Sequence, residues 1–224
     1  GNPSSVHAEG RAAKSLVERA RAQIAAAFGA EGADIVFTSG STEGAALALS
    51  GRDLHGSVVE HDAVRSWVTE DLSVSQSGVV TVLDPARSTL QLANSETGIV
   101  QDLPDGLAVT DATQVFGKLP AAFNWMGATM ALMSAHKFGG PKGVGALLLK
   151  RGTEISSQIK GGGQEMGRRS GTENVIGIAG FGAAAEAAAK DLDAGVWDRV
   201  AELRNILENA VAAECPETIF IGQA

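Results

Sequence analysis

The sequence predicts an α/β fold of three layers, α/β/α, around a mostly parallel, mixed β-sheet. Three observations predict it. Helix-period segments alternate with short apolar runs along the chain, the order that builds parallel sheets through crossovers. The runs at 128–133 and 143–150 are apolar at successive positions, as in strands buried on both faces. Polar or Gly-rich turns follow several of these runs, and such folds bind ligands at the carboxyl ends of their strands.

The elements follow in order. Residues 10–28 read as a helix with Leu16, Ala20, Ile24 and Ala27 on one stripe. Residues 35–38 form a strand, 39–43 a polar turn and 43–50 a helix, with Thr42 placed to cap it. A strand at 57–60 precedes a helix over 62–70. The middle is strand-rich, with 78–83 and 88–93 on either side of a Pro turn, then 107–110 and 128–133. In 143–150, Val144, Ala146 and Leu148 alternate against Gly145, Leu147 and Leu149. From 173 the pattern is helical to 190, and again over 194–213; residues 218–221 read as the start of a new strand.

Composition removes several classes of function. A formal charge of −8 repels nucleic acid and anionic membranes globally. The single cysteine, Cys215, excludes a disulfide framework within the chain and a CxxC motif; its place between a helix and Pro216 reads as a half-buried helix-end cysteine. No run of about 18 uncharged apolar residues offers a membrane span. The opening Gly1-Asn-Pro-Ser-Ser-Val-His7 has neither a basic nor an apolar signal region, so a cytoplasmic location is expected. The four histidines are far apart and lack cysteine partners, so no zinc site is expected. Dinucleotide and P-loop glycine spacings are absent.

Four strand ends carry residues of a different kind. Lys137 follows the strand 128–133, Asp111 ends the strand 107–110, Ser41 and Thr42 sit at a helix start, and His61 follows the strand 57–60. These are the parts a pyridoxal phosphate (PLP) site requires. It needs an amine to condense with the aldehyde, an acid beside the pyridine nitrogen, hydroxyls and N–H groups for the phosphate, and a flat group against the ring. Each has a plain alternative when taken singly: Lys137 as a solvated lysine, Asp111 as a turn former, Ser41-Thr42 as a cap, His61 as a surface or core histidine. Their joint arrangement favours the site.

At these residues the sequence resembles the class V aminotransferase superfamily, and within it the cysteine desulfurases of the NifS/IscS-like group. The resemblance rests on Gly1-Asn-Pro-Ser-Ser-Val-His7, Phe37-Thr-Ser-Gly-Ser-Thr-Glu43, Glu60-His61, Asn94-Ser-Glu-Thr-Gly98, Asp111-Ala-Thr-Gln-Val-Phe-Gly-Lys118, Ser134-Ala-His-Lys-Phe-Gly-Gly-Pro-Lys-Gly-Val-Gly145 and Gly161-Gly-Gly-Gln-Glu-Met-Gly-Arg-Arg-Ser-Gly-Thr-Glu-Asn174. It implies the large PLP-binding domain of the fold type I enzymes over residues 1–212, with 213–224 beginning a smaller C-terminal domain. It also implies roles: Lys137 carries the cofactor, Asp111 pairs with the pyridine nitrogen, and Gln114 contacts the phenolic oxygen. His61 stacks on the ring and moves protons. Ser41, Thr42, Ser134 and His136 hold the phosphate, and Thr172 reaches the phosphate of the partner subunit in a homodimer. Asn94 and Ser95 lie beside the cofactor and the substrate carboxylate. The implied reaction converts L-cysteine to L-alanine and passes sulfur as a persulfide to an acceptor such as an iron–sulfur scaffold.

The sequence also departs from the family. The family's nucleophilic cysteine lies beyond the equivalent of residue 224, and Cys215 does not match its loop. Ser95 stands where the family has a second asparagine, and Gly44-Ala45-Ala46 lacks the usual polar residue and asparagine. Two other readings therefore stand beside the first: another class V PLP enzyme, such as an aminotransferase or a C–S lyase, and a non-catalytic homologue that keeps the fold.

Overall fold

The computed structural model describes residues 1–222. The elements are α1 (Ala8–Ala27), β1 (Asp34–Thr38), α2 (Ser41–Leu49), β2 (His55–Ser57), α3 (Asp62–Arg65), β3 (Thr69–Leu72), β4 (Thr89–Gln91), β5 (Leu107–Asp111), β6 (Ala128–Ser134), β7 (Gly145–Leu149), α4 (Val175–Asp193) and α5 (Val196–Glu214). The main sheet has the order β1-β7-β6-β5-β4. Strands β4, β5 and β6 pair parallel, and β7 runs antiparallel to both neighbours. A parallel β2–β3 pair joins this sheet through a His55–Ser88 bridge.

Alternation along each central strand assigns the two faces, because successive side chains point to opposite sides. Ile35, Phe37, Ala131, Met133, Ala146 and Leu148 pack on one face with Val17, Ala20 and Ile24 of α1 and Ile178, Phe181 and Ala185 of α4. Val36, Met130, Leu132, Leu147 and Leu149 pack on the other with Ala45, Leu47, Ala48 and Leu49 of α2 and Val64 of α3. The three layers and mixed, mostly parallel sheet expected from the sequence are thus present. Helices α1 and α4 approach so closely that a Cβ on Gly182 would lie 2.6 Å from the Ala20 Cα, a contact only glycine permits.

Several local expectations are corrected. The buried stripe of α1 is Ala13, Val17, Ala20 and Ile24, while Leu16 is 41% exposed; the 3.6-residue period reaches the core one position later. Helix α2 begins at Ser41 and has Gly40 as its N-cap, so Thr42 lies inside the first turn and does not cap it. The expected helix over 62–70 stops at Arg65, and Thr69–Leu72 is a strand instead. This strand is mostly exposed, and such polar edge strands carry little apolar period. The expected strand at 57–60 is β2 at His55–Ser57. The expected strand 78–83 contributes only a Val74–Val80 bridge; the Val80 N–H faces away from it and donates to the Gln101 side chain. The segment 215–222 contains no strand. Cys215 is exposed rather than half-buried, since α5 buries none of its residues.

Strand β7 runs opposite to its neighbours, so its start lies at the same sheet edge as the ends of β1, β4, β5 and β6. A Cβ on Gly145 would lie 2.7 Å from the Gly40 Cα and 2.6 Å from the Met133 carbonyl oxygen. Glycine there lets β7 pass directly against the turn that enters α2.

Candidate active site

A cavity of about 760 Å³ opens at this edge, within the size range of sites for cofactors and other small molecules. Of the eleven residues that the sequence nominates, nine line it: Ser41, Thr42, His61, Ser95, Asp111, Gln114, Ser134, His136 and Lys137. Asn94 and Thr172 do not. Asn94 is buried beneath the loop, donating to the Val59 carbonyl and accepting from the Glu96 N–H, the Thr97 N–H and the Thr97 hydroxyl. It shapes the Ser95–Glu96 wall of the cavity. Thr172 lines a neighbouring cavity of about 150 Å³ with Arg169 and Glu173.

Strand ends and helix starts position the rest. The N–H groups of Ser41, Thr42 and Glu43 open α2, where the first intrahelical bond runs from the Gly44 N–H to the Gly40 carbonyl. Such an end offers donors and a partial positive charge to an anion. The Ser41 hydroxyl lies 2.6 Å from the Thr113 hydroxyl, which ties α2 to the loop after β5. The Ser134 hydroxyl lies 2.9 Å from His136 Nδ1. His136 is held below the usual imidazole range by desolvation and by the Lys137, Lys142 and Lys118 cations. An anion would relieve that repulsion.

Asp111 is the last residue of β5 and only 9% exposed. One of its carboxylate oxygens accepts the Thr113 N–H at 2.9 Å. His61 is the N-cap of α3, and its Nδ1 accepts the Ala63 N–H at 3.1 Å. In the neutral ring the proton then sits on Nε2, the atom left to meet a ligand. Lys137 lies in the turn after β6.

Two ionisable groups behind the wall escaped the sequence reading. Glu60 is 4% exposed. One carboxylate oxygen accepts the Gln91 N–H at 2.8 Å, and the other has no hydrogen-bond partner. Burial pushes its carboxyl up to about 8, against the pull of the Gln91 N–H, and the Asp111 carboxylate adds to the rise. Lys118 donates to the Gln114 side-chain oxygen at 2.8 Å. Thr113 and Lys142, both on the cavity wall, were also missed, although their motifs already supplied neighbouring residues.

The loop before α4 is clamped from beneath. Arg21 holds the Glu165 carboxylate through two 3.0 Å bonds, and the Phe37 N–H adds a third. Glu165 and Met166 have φ of +48° and +56°, a backbone that non-glycine residues adopt only when surrounding contacts impose it. Arg169 pairs with Glu43 in the first turn of α2 at 2.7 and 3.2 Å.

The donor set fits PLP. An amine, a buried acid, an imidazole, a helix start with hydroxyls, and a volume sufficient for the group converge in one cavity. Such a three-layer α/β/α arrangement, with this cavity at its strand ends, is the architecture of the fold type I PLP enzymes. The aminotransferase class V family profile matches residues 1–68 and 69–223, and the chain belongs to that family.

Among curated relatives, the cysteine desulfurase IscS of Dictyoglomus turgidum is 38% identical over 257 residues, covering 99% of this chain and 65% of its own length. A cysteine desulfurase of Klebsiella pneumoniae is 38% identical over 254 residues, covering 99% of this chain and 64% of its own. The chain therefore spans just under two thirds of these relatives. Among solved structures, a NifS-like protein from Rickettsia africae superposes with a TM-score of 0.88 at 31% identity, covering 99% of this chain and 70% of that one. A structure of SspA in complex with cysteine superposes with a TM-score of 0.74 at 32% identity, covering 83% and 64%.

Proposed function

We propose that this chain is the PLP-binding part of a cysteine desulfurase that converts L-cysteine to L-alanine and hands sulfur, as a persulfide, to an acceptor such as an iron–sulfur scaffold. The observation that carries this reading is the convergence of Lys137, Asp111, Gln114 and His61 with the α2 start in one cavity. The similarity to cysteine desulfurases over 99% of the chain supports the substrate, as does a structural neighbour described in complex with cysteine. The protein works as a cytoplasmic homodimer in this reading, with Thr172 serving the partner's site.

When bound, PLP supplies an electrophilic aldehyde and a ring that accepts electrons. The Lys137 amine would hold the group, and it is the base placed to take a proton from substrate carbon and return it. Asp111 presents a carboxylate to a protonated ring nitrogen. His61 would offer its flat ring to the cofactor, and Nε2 is its atom able to exchange a proton. Ser41, Thr42, Ser134, His136 and the N–H groups at the start of α2 would hold the phosphate. The step that takes up sulfur needs a thiolate, and Cys215, exposed at the end of α5, does not line the cavity.

Ser95 favours a second reading. Its hydroxyl donates to Glu96 at 3.0 Å on the cavity wall, where the family has an asparagine, so the substrate carboxylate meets different chemistry. An aminotransferase or a C–S lyase is the alternative. Incubating the PLP-loaded chain with L-cysteine, a reductant and a separate panel of amino acids tests both. The first reading predicts that only cysteine, or its selenium analogue, perturbs the cofactor's absorbance, without catalytic release of sulfide. Conversion of another amino acid to its keto acid would refute it.

A further inference from the structure

The turns after β5 bring together two half-buried side chains, Gln114 and Lys118. Backbone bonds from the Val115 and Phe116 N–H groups to the Ala112 carbonyl, and from the Lys118 and Leu119 N–H groups to the Val115 carbonyl, fold residues 112–119 into two consecutive tight turns, with Gly117 at a φ of +77° between them. Val115 and Phe116 are buried in these turns, while Gln114 faces the cavity. The turns are pinned from outside by Trp197, whose indole N–H donates to the Gly117 carbonyl at 2.8 Å.

Lys118 does not line the cavity, yet its amine reaches the Gln114 side-chain oxygen at 2.8 Å and bonds to no other side chain among the described residues. An ammonium has three donors and no acceptor. The end of the Gln114 amide facing Lys118 is therefore its oxygen, on chemical grounds rather than by assignment. The NH₂ end is the one left to point at a ligand. Without Lys118 the amide turns over at little cost and offers oxygen or nitrogen alike. Burial, and after it the Lys137 ammonium, pull the Lys118 amine below the usual lysine range. A partly buried cation held against repulsion thus spends its hydrogen bond on one glutamine.

We propose that Lys118 is a positioning residue that locks Gln114 as a hydrogen-bond donor toward an acceptor oxygen of the bound cofactor. This rests on the reading of the cavity as a PLP site. Its logic separates Lys118 from the cofactor itself: the lysine acts only through Gln114.

The test is a double-mutant cycle on the 224-residue chain, read by PLP titration and by the absorbance of the bound cofactor. Lys118→Met keeps the apolar stem and removes the donor. It is expected to weaken PLP binding about three- to tenfold, the worth of one hydrogen bond, and to shift the bound cofactor's absorbance. In a Gln114→Ala background the same change is expected to have no effect, and Lys118→Arg, which keeps a donor, is expected to restore the wild-type spectrum. Lys118→Gln, which keeps polarity but loses the obligatory donor, is expected to fall between, and it answers the question should Lys118→Met not fold. Unchanged affinity and spectrum in Lys118→Met and Lys118→Gln, or an equal effect with and without Gln114, would overturn the proposal alone. Failure of the wild-type chain to take up PLP would remove both the site and the proposal.

Discussion

Replacing Glu60 by Gln removes an acid that the fold keeps protonated. Its carboxyl is pushed from the usual 4.5 to about 8 by burial and by Asp111. Below pH 4.5 the group is neutral in both folded and unfolded chains. Between 4.5 and about 8 the folded chain retains the proton and the unfolded chain releases it, so the folded state binds more protons and stability falls as pH rises. At about 1.4 kcal/mol per pH unit for one proton, that interval corresponds to roughly 3–5 kcal/mol of stability lost by pH 8. Glutamine has the same shape, keeps an oxygen for the Gln91 N–H and cannot ionise. Glu60→Gln is therefore expected to match the wild type near pH 5 and to exceed it by roughly 3–5 kcal/mol at pH 8. Urea unfolding of both proteins without PLP, at several pH values between 5 and 8.5, measures the difference. A gap that stays constant across this range would refute the reasoning, because a purely steric role for Glu60 carries no pH dependence.

Other perturbations test the walls of the site. Arg169→Ala strips Glu43 of its two-bond partner and leaves a half-buried carboxylate with the Ser39 N–H; a loss of about 1–2 kcal/mol is expected, or a fall of roughly 3–6 °C in melting temperature for a chain of this size, with weaker PLP binding because the start of α2 shifts. His136 is expected to titrate below the ordinary imidazole range and to move upward when sulfate is added, since an anion offsets the three nearby lysine charges; an NMR titration of its ring proton reads this, and no movement would remove His136 from the anion site. Glu165→Ala is expected to destabilise the chain by about 3 kcal/mol, because it leaves Arg21 without its buried partner and frees the Phe37 N–H; unchanged proteolysis of the 161–174 loop would show that the clamp does not hold it.

The central sheet was legible because β1, β6 and β7 are buried on both faces, and their apolar residues divide between the two packed clusters. The edge was not, since Thr69–Leu72 is polar and exposed and its identity as a strand comes from pairing with β2. The site residues were legible as motifs following strands, so nine of the eleven face one cavity. Asn94 reads as a site residue from its motif, yet its side chain is consumed in holding Val59, Glu96 and Thr97. Glu60 was quoted only as the neighbour of His61, because its place near Asp111 depends on β2 and β5 lying on either side of β4, with 51 positions of chain separating Glu60 from Asp111. Lys118 stands four residues after Gln114 in the same motif, and the two meet only because consecutive tight turns around Gly117 fold the segment back on itself.

The most direct measurement of the central claim is the absorbance of the chain with PLP, before and after borohydride, with Lys137→Ala alongside and peptide mapping of the reduced product. The account predicts a band near ~400 nm that borohydride converts into a stable adduct on Lys137, absent from the variant. Reduction onto another lysine, such as Lys118 or Lys142, or a band that survives in Lys137→Ala, would contradict it.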